Sequence, residues 1–254
     1  MKTILLALLL TAMGVAGVPA QTTLPPAGPA VQPSGSSPAR PAWEQEWAYL
    51  SKYREANAHL APPSVGEKRV VFLGDSITEA WAVDGRFFLG KPYVNRGISG
   101  QTTAQMLVRF RQDVIGLDPA VVVILAGTND LAENGGPTTL EAIEDNLQSM
   151  AELAQLNGIR VVLASVLPAL DYPWRRGLQP ADKISALNRW IAEYCAKSDL
   201  VYLDYYSAMV DEKRGLRPDL TSDGVHPTTA GFAVMAPLAE KAIRETLTDK
   251  DAGR

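Results

Sequence analysis

The stretch Arg69-Val70-Val71-Phe72-Leu73-Gly74-Asp75-Ser76-Ile77-Thr78 (RVVFLGDSIT) opens with an unbroken apolar run and closes with a glycine and small polar residues. A strand with one wet face alternates apolar and polar side chains. A run without alternation is covered on both faces, as strands of a parallel sheet are. Gly74 permits a tight turn where a side chain would crowd the loop, and Ser76 falls at the start of the next helix. Working outward, similar runs recur in Tyr93–Ile98, Ala120–Ala126 (AVVVILA), Arg160–Leu167 (RVVLASVL) and Leu200–Tyr205. Helical periodicity fills the intervals Thr102–Ile115, Thr139–Leu156 and Ala181–Lys197. Asn157-Gly158 is a helix stop, and a last helix is expected near Thr229–Leu247. A further helix is expected near Glu44–His59, ended by Pro62-Pro63. This alternation predicts an α/β fold, a three-layer α/β/α sandwich on a parallel sheet with right-handed crossovers.

The 254 residues carry a net charge of -4 and are 46% hydrophobic, an ordinary globular composition, neither disordered nor membrane-spanning. A core of this size needs no disulfide or metal staple. No clustered basic face marks a nucleic-acid partner. Residues 1–20 read as a signal peptide: Lys2, an apolar segment from Ile4 to Val18 that is short for a membrane span, then Val18-Pro19-Ala20 before a cut after Ala20. An uncleaved anchor is the alternative. No Cys follows the apolar segment, so no lipid anchor is indicated, and the mature protein is expected in the periplasm or secreted, without a stable membrane anchor. Residues 21–42, rich in Pro, Gly, Ser and Ala, read as a flexible tether, and 43–250 as the folded domain. Cys195 is the only cysteine. It lies in a helical pattern, where a small buried hydrophobe is expected instead of a catalytic thiol.

In an open parallel sheet the site forms beyond the carboxyl ends of the strands, near the topological switch point. Four loops at strand ends or the active edge hold unusual residues. Gly74-Asp75-Ser76-Ile77-Thr78 puts Ser76 at a helix N-terminus, whose N–H groups favour an alkoxide or oxyanion; Asp75 or Ser76 acting only as a helix cap is the alternative. Asn95-Arg96-Gly97-Ile98-Ser99-Gly100-Gln101 offers the Gly100 N–H to an oxyanion, or is a plain turn before a helix capped by Thr102. Gly127-Thr128-Asn129-Asp130 offers the Asn129 side-chain NH₂ as a donor, or is a turn. Asp223-Gly224-Val225-His226-Pro227 lets a carboxylate meet the imidazole three residues on, as an imidazole base requires, or is a turn with Pro227 opening the helix. Of the two histidines, His59 beside the Pro62-Pro63 break reads as surface, which leaves His226 as the candidate base.

In this combination and order, GDSIT, RGISGQTT, GTND and DGVHP resemble the SGNH (GDSL-type) hydrolases, from about Val70 to the final helix. The resemblance implies Ser76 as nucleophile, His226 as base and Asp223 as the histidine's orienter. It implies the Ser76 N–H, the Gly100 N–H and the Asn129 amide as an oxyanion hole. It also implies a flavodoxin-like five-stranded sheet of order 2-1-3-4-5. Ile77 stands where many members have Leu. The implied activity is that of a serine esterase without cofactor or metal, acting on a small-molecule or carbohydrate ester.

Rival chemistries lack their residues. There is no G-x-S-x-G elbow, no Gly-rich phosphate loop and no histidine cluster for a hydrolytic metal. Asp75, beside the nucleophile, is expected to contact substrate. The segment Pro168-Ala169-Leu170-Asp171-Tyr172-Pro173-Trp174-Arg175-Arg176 follows the fourth strand and is expected to overhang the site. There Tyr172 and Trp174 would line an acyl pocket or stack on a sugar, and Arg175 and Arg176 would meet an anion; a proline-stiffened lid is the alternative. Trp81 reads as core or pocket wall. The expected substrate carries a short acyl group, chiefly acetyl, on a carbohydrate or small alcohol. A cell-envelope sugar O-acyltransferase, a lysophospholipase or thioesterase, and a non-catalytic sugar-binding domain remain open on the same scaffold.

Overall fold

The computed structural model describes residues 46–84 and 86–248. The leader and tether read from residues 1–42 lie outside them. In chain order the elements are α1 (Arg54–His59), β1 (Val70–Gly74), α2 (Ser76–Asp84), β2 (Tyr93–Gly97), α3 (Thr103–Asp113), β3 (Val121–Leu125), α4 (Thr128–Leu131), α5 (Leu140–Leu156), β4 (Arg160–Ala164), α6 (Ala181–Lys197), β5 (Val201–Leu203), α7 (Tyr206–Met209) and α8 (Thr229–Thr248). The five strands are all parallel, in the order β2-β1-β3-β4-β5. β1 lies between β2 and β3, with Val70 in register with Tyr93 on one side and Val121 on the other.

Alternate residues of each apolar run serve opposite layers, because side chains of a strand alternate between its faces. Val71, Leu73, Val122, Ile124, Val161 and Leu163 pack with residues of α3, α5 and α6. Their neighbours Val70, Phe72, Val121, Val123 and Val162 pack with residues of α2 and α8. Both faces are dry, which is why the runs show no polar alternation. Across the second layer, Trp81 of α2 stacks on Phe232 of α8 at 5.6 Å. Trp81 is thus core, and it registers α2, which begins at Ser76, against α8, which follows His226.

Two expectations are adjusted. The fourth run leaves the sheet after Ala164, because the Asn188 side chain captures both the N–H and the carbonyl of Val166, at 2.7 and 2.9 Å. Residues 44 and 45 of the helix expected near Glu44–His59 lie outside the described residues, and within the described part the helix covers only Arg54–His59; Tyr49 in the preceding turns has φ +52°, outside helical geometry. The four-residue helices α4 and α7 are too short to show a period in the sequence. Among the described residues no helix is long and apolar enough to cross a membrane.

Candidate active site

The sheet order does the first part of the assembly. Adjacent strands lie roughly 4.8 Å apart, so the loops leaving β2, β1 and β3 sit side by side and bring Gly100, Ser76 and Asn129 to one edge. The chain departs β1 to one side for β2 and crosses to the other for β3, which makes this the switch point. Gly74 is dictated by proximity: a Cβ there would lie 2.1 Å from Thr78 Oγ1 and 2.8 Å from the Leu125 carbonyl oxygen.

His226 reaches this edge from the loop before α8. Its Nε2 lies 2.9 Å from Ser76 Oγ, and its Nδ1 lies 2.7 Å from Asp223 Oδ2. An ionised carboxylate only accepts, so Nδ1 carries the proton and Nε2 is left to accept from the serine hydroxyl. Burial pulls the Asp223 carboxyl upward. Donation from the His226 backbone and ring and from the Val225 N–H outweighs it and holds the carboxyl down at about 2. Asp223 Oδ1 accepts from the Val225 N–H at 2.9 Å and the His226 N–H at 2.8 Å. Thr221, which sequence reasoning missed, pins the same turn. Its Oγ1 donates to the His226 carbonyl at 2.7 Å and accepts from the Gly224 N–H at 3.0 Å. A threonine two residues before the aspartate of a glycine turn was the available signal.

Donors gather opposite. The Ser76 N–H opens α2, and no acceptor among the described residues takes it or the Gly100 N–H. Gly100 is exposed, with φ +76°. Asn129 is 3% exposed, and its Nδ2 donates to the Gln101 carbonyl at 3.1 Å and to Asp75 Oδ2 at 3.3 Å.

Beneath these groups lies a buried polar floor that the sequence did not reveal. Arg109 is wholly buried; its guanidinium donates to Gln101 Oε1 at 2.5 Å, to Asp113 Oδ2 at 3.1 Å and to the Gly74 carbonyl at 3.1 Å. It thereby ties the nucleophile loop to the Gly100 loop. Glu79 does the same from above, accepting from the Ser99 N–H at 2.7 Å. Asp130 accepts from the Thr103 N–H and, at 2.6 Å, from its hydroxyl.

One expectation is corrected by burial. Asp75 is 1% exposed and accepts from the Ile77 N–H at 2.9 Å and from Asn129. It caps α2 and braces Asn129, and does not face substrate; desolvation raises its carboxyl to about 6. Tyr172 is fully buried, its ring 5.3 Å from that of Trp174. It supports the indole from below. Trp174 does reach the site: it is 45% exposed, with its ring 5.8 Å from that of His226. Arg175 is held by Glu133 at 2.7 Å. Arg176 helps line a cleft of about 220 Å³ with Leu170, Tyr172, Pro173, Leu216 and Asp223. Cys195 is buried, its thiol pushed up to about 12 by desolvation.

A hydroxyl, an imidazole and a carboxylate in one hydrogen-bonded line, facing a cluster of N–H donors, is the constellation of a serine hydrolase. Residues 72–234 match the GDSL-like lipase/acylhydrolase family. The chain belongs to that family of ester-hydrolysing enzymes. It is similar to the structure of a GDSL-like lipase from Bacteroides thetaiotaomicron, at 48% identity and a TM-score of 0.77 over 79% of this chain and 99% of that one. It is 30% identical to Esterase TesA of Pseudomonas aeruginosa over 54% of this chain and 62% of the esterase. It is 27% identical to an acetylxylan esterase of Geobacillus stearothermophilus over 67% of this chain and 91% of the relative. The chain spans from about a third to under two thirds of the length of several curated relatives it matches.

Proposed function

We propose that this protein is an exported serine esterase that removes short acyl groups, chiefly acetyl, from carbohydrates or small alcohols. The observation that carries the reading is the line from Asp223 through His226 to Ser76 Oγ, at 2.7 and 2.9 Å. His226 takes the hydroxyl proton as Ser76 Oγ attacks the ester carbonyl. The oxyanion is met by the Ser76 and Gly100 N–H groups and the Asn129 amide. His226 protonates the departing alcohol, and water attacks the acyl-serine by the same route. Two features support a short acyl group on a sugar. Trp174 presents a half-exposed ring next to His226, the kind of face on which a pyranose stacks. One relative is an acetylxylan esterase. Export rests on the leader pattern of residues 1–20.

The test is turnover of p-nitrophenyl esters from acetate to palmitate, run beside acetate release from acetylated xylan with and without a free sugar acceptor. The expected result is a kcat/KM peak at acetate, and acetate released to water. A peak at long chains contradicts the acyl assignment, and acetyl appearing on the acceptor contradicts hydrolysis.

A further inference from the structure

A run of side-chain hydrogen bonds enters the site from the loop that overhangs it. Trp174 Nε1–H donates to Asn134 Oδ1 at 3.0 Å. Asn134 Nδ2 donates to Asn129 Oδ1 at 2.5 Å. Asn129 Nδ2 donates to the Gln101 carbonyl at 3.1 Å and to Asp75 Oδ2 at 3.3 Å. An indole N–H can only donate, and a peptide carbonyl can only accept. Both ends of the run therefore impose the same direction. Trp174 obliges Asn134 to turn its oxygen toward the indole and its NH₂ toward Asn129. That NH₂ obliges Asn129 to turn its oxygen away from the nucleophile loop and its NH₂ toward it. An amide rotated by 180° fills the same space but places a carbonyl oxygen where a donor is needed.

The two loops carrying the run are fastened on either side of it. The Asn134 N–H donates to the Asn129 carbonyl at 2.9 Å, and Arg175, next to Trp174, pairs with Glu133, next to Asn134, at 2.7 Å. An oxyanion donor is effective when its orientation is set before the charge develops, so that nothing reorganises at the moment of reaction.

We propose that Asn134 and Trp174 are positioning residues that lock the polarity of the Asn129 amide, so that the N–H held by Asp75 through the longer of its two bonds, at 3.3 Å, is shared with the oxyanion without any rotation of the amide. This rests on the reading of Asn129 given under the proposed function. Neither residue has to touch the acyl group to act in this way. Both are partly exposed, and Gln101 and Asp75 hold the same amide from the other side, so single deletions have graded effects.

The experiment is steady-state hydrolysis of p-nitrophenyl acetate by five variants of the full chain: Asn129→Ala, Asn134→Ala, Asn134→Asp, Trp174→Phe and the double variant Asn129→Ala/Asn134→Asp. Asn129→Ala is expected to lose about 10²–10³ in kcat. Asn134→Ala, which removes one neutral hydrogen bond, is expected to lose about tenfold. Asn134→Asp is isosteric but turns an acceptor on the Asn129 oxygen, so it should lose more than the alanine variant. Trp174→Phe, which keeps a ring but not the N–H, is expected to lose about threefold. KM should stay within about twofold throughout, and the double variant should be no slower than Asn129→Ala, because the lock acts only through that amide. Asn134→Asp at the wild-type rate beside a slow Asn129→Ala overturns the lock alone. Losses that multiply in the double variant, or that appear in KM, do the same. Asn129→Ala at the wild-type rate overturns the oxyanion reading and the lock with it.

Discussion

Asp223 and His226, at the rim of the site, leave 37% and 34% of their side chains exposed, whereas Arg109 and Asp113 in the floor leave none. Both are ion-pair or hydrogen-bonded charge partners, yet the difference in burial gives them different work. The rim pair stays wet, as the proposed transfer of a proton from Ser76 to a leaving group requires. The floor pair exchanges nothing with solvent; it holds the Gly74 carbonyl and Gln101 in fixed relation. A group that must change charge during a reaction is placed where water can reach it. A group that must only hold geometry is paid for once, on folding.

That contrast is open to attack in order of expected size. Asp223→Asn should cost about 10⁴ in kcat, because the imidazole loses its correct tautomer, while thermal unfolding barely moves. Unfolding that falls with activity would make Asp223 part of the floor. Arg109→Met should do the reverse. It leaves the Asp113 carboxylate buried and unpaired, at a cost of about 3–5 kcal/mol in urea unfolding, and Arg109→Met/Asp113→Leu should recover most of it. A stable single variant would show that the floor pair carries no structural load.

The third test uses pH. Burial raises the carboxyls of Asp75 and Asp130 to about 6 in the fold, from an ordinary value of 3.8. A raised folded value means that stability is fully present below about pH 4 and is lost as pH rises through 6. Asp223, held down at about 2, acts oppositely and only at lower pH: its contribution is present above about 4 and lost as pH falls through 2. Asp130→Asn, which can keep its Thr103 partners, should therefore unfold like wild type at pH 4 and be more stable by roughly 2–3 kcal/mol at pH 7. An unchanged difference across that window would mean Asp130 is not buried as an acid.

Most of the sheet, and the rim, were legible because their signals are local. Val70–Leu73 and Val121–Leu125 declare two dry faces in their composition alone, and Asp223 with His226 declares itself in a spacing of three across a glycine. The floor was illegible because it is assembled from distant parts. Nothing near Arg109 in the chain says that it will meet the Gly74 carbonyl, 35 residues away. The error at Asp75 has that cause: adjacency to Ser76 in sequence does not reveal which way a side chain turns. The strand that stops at Ala164 was misread for the same reason, since the apolar run continues and only the Asn188 amide, from α6, ends it.

The central claim is that Ser76 and His226 act as one nucleophilic pair, and covalent capture tests it most directly. The folded protein is treated with a fluorophosphonate, and the labelled peptide and the labelling rate are read by mass spectrometry in wild type, Ser76→Ala and His226→Ala. A single adduct on Ser76, none in Ser76→Ala, and capture slowed by orders of magnitude in His226→Ala are expected. No adduct on folded wild type, or capture at Ser76 that ignores the loss of His226, would contradict the claim.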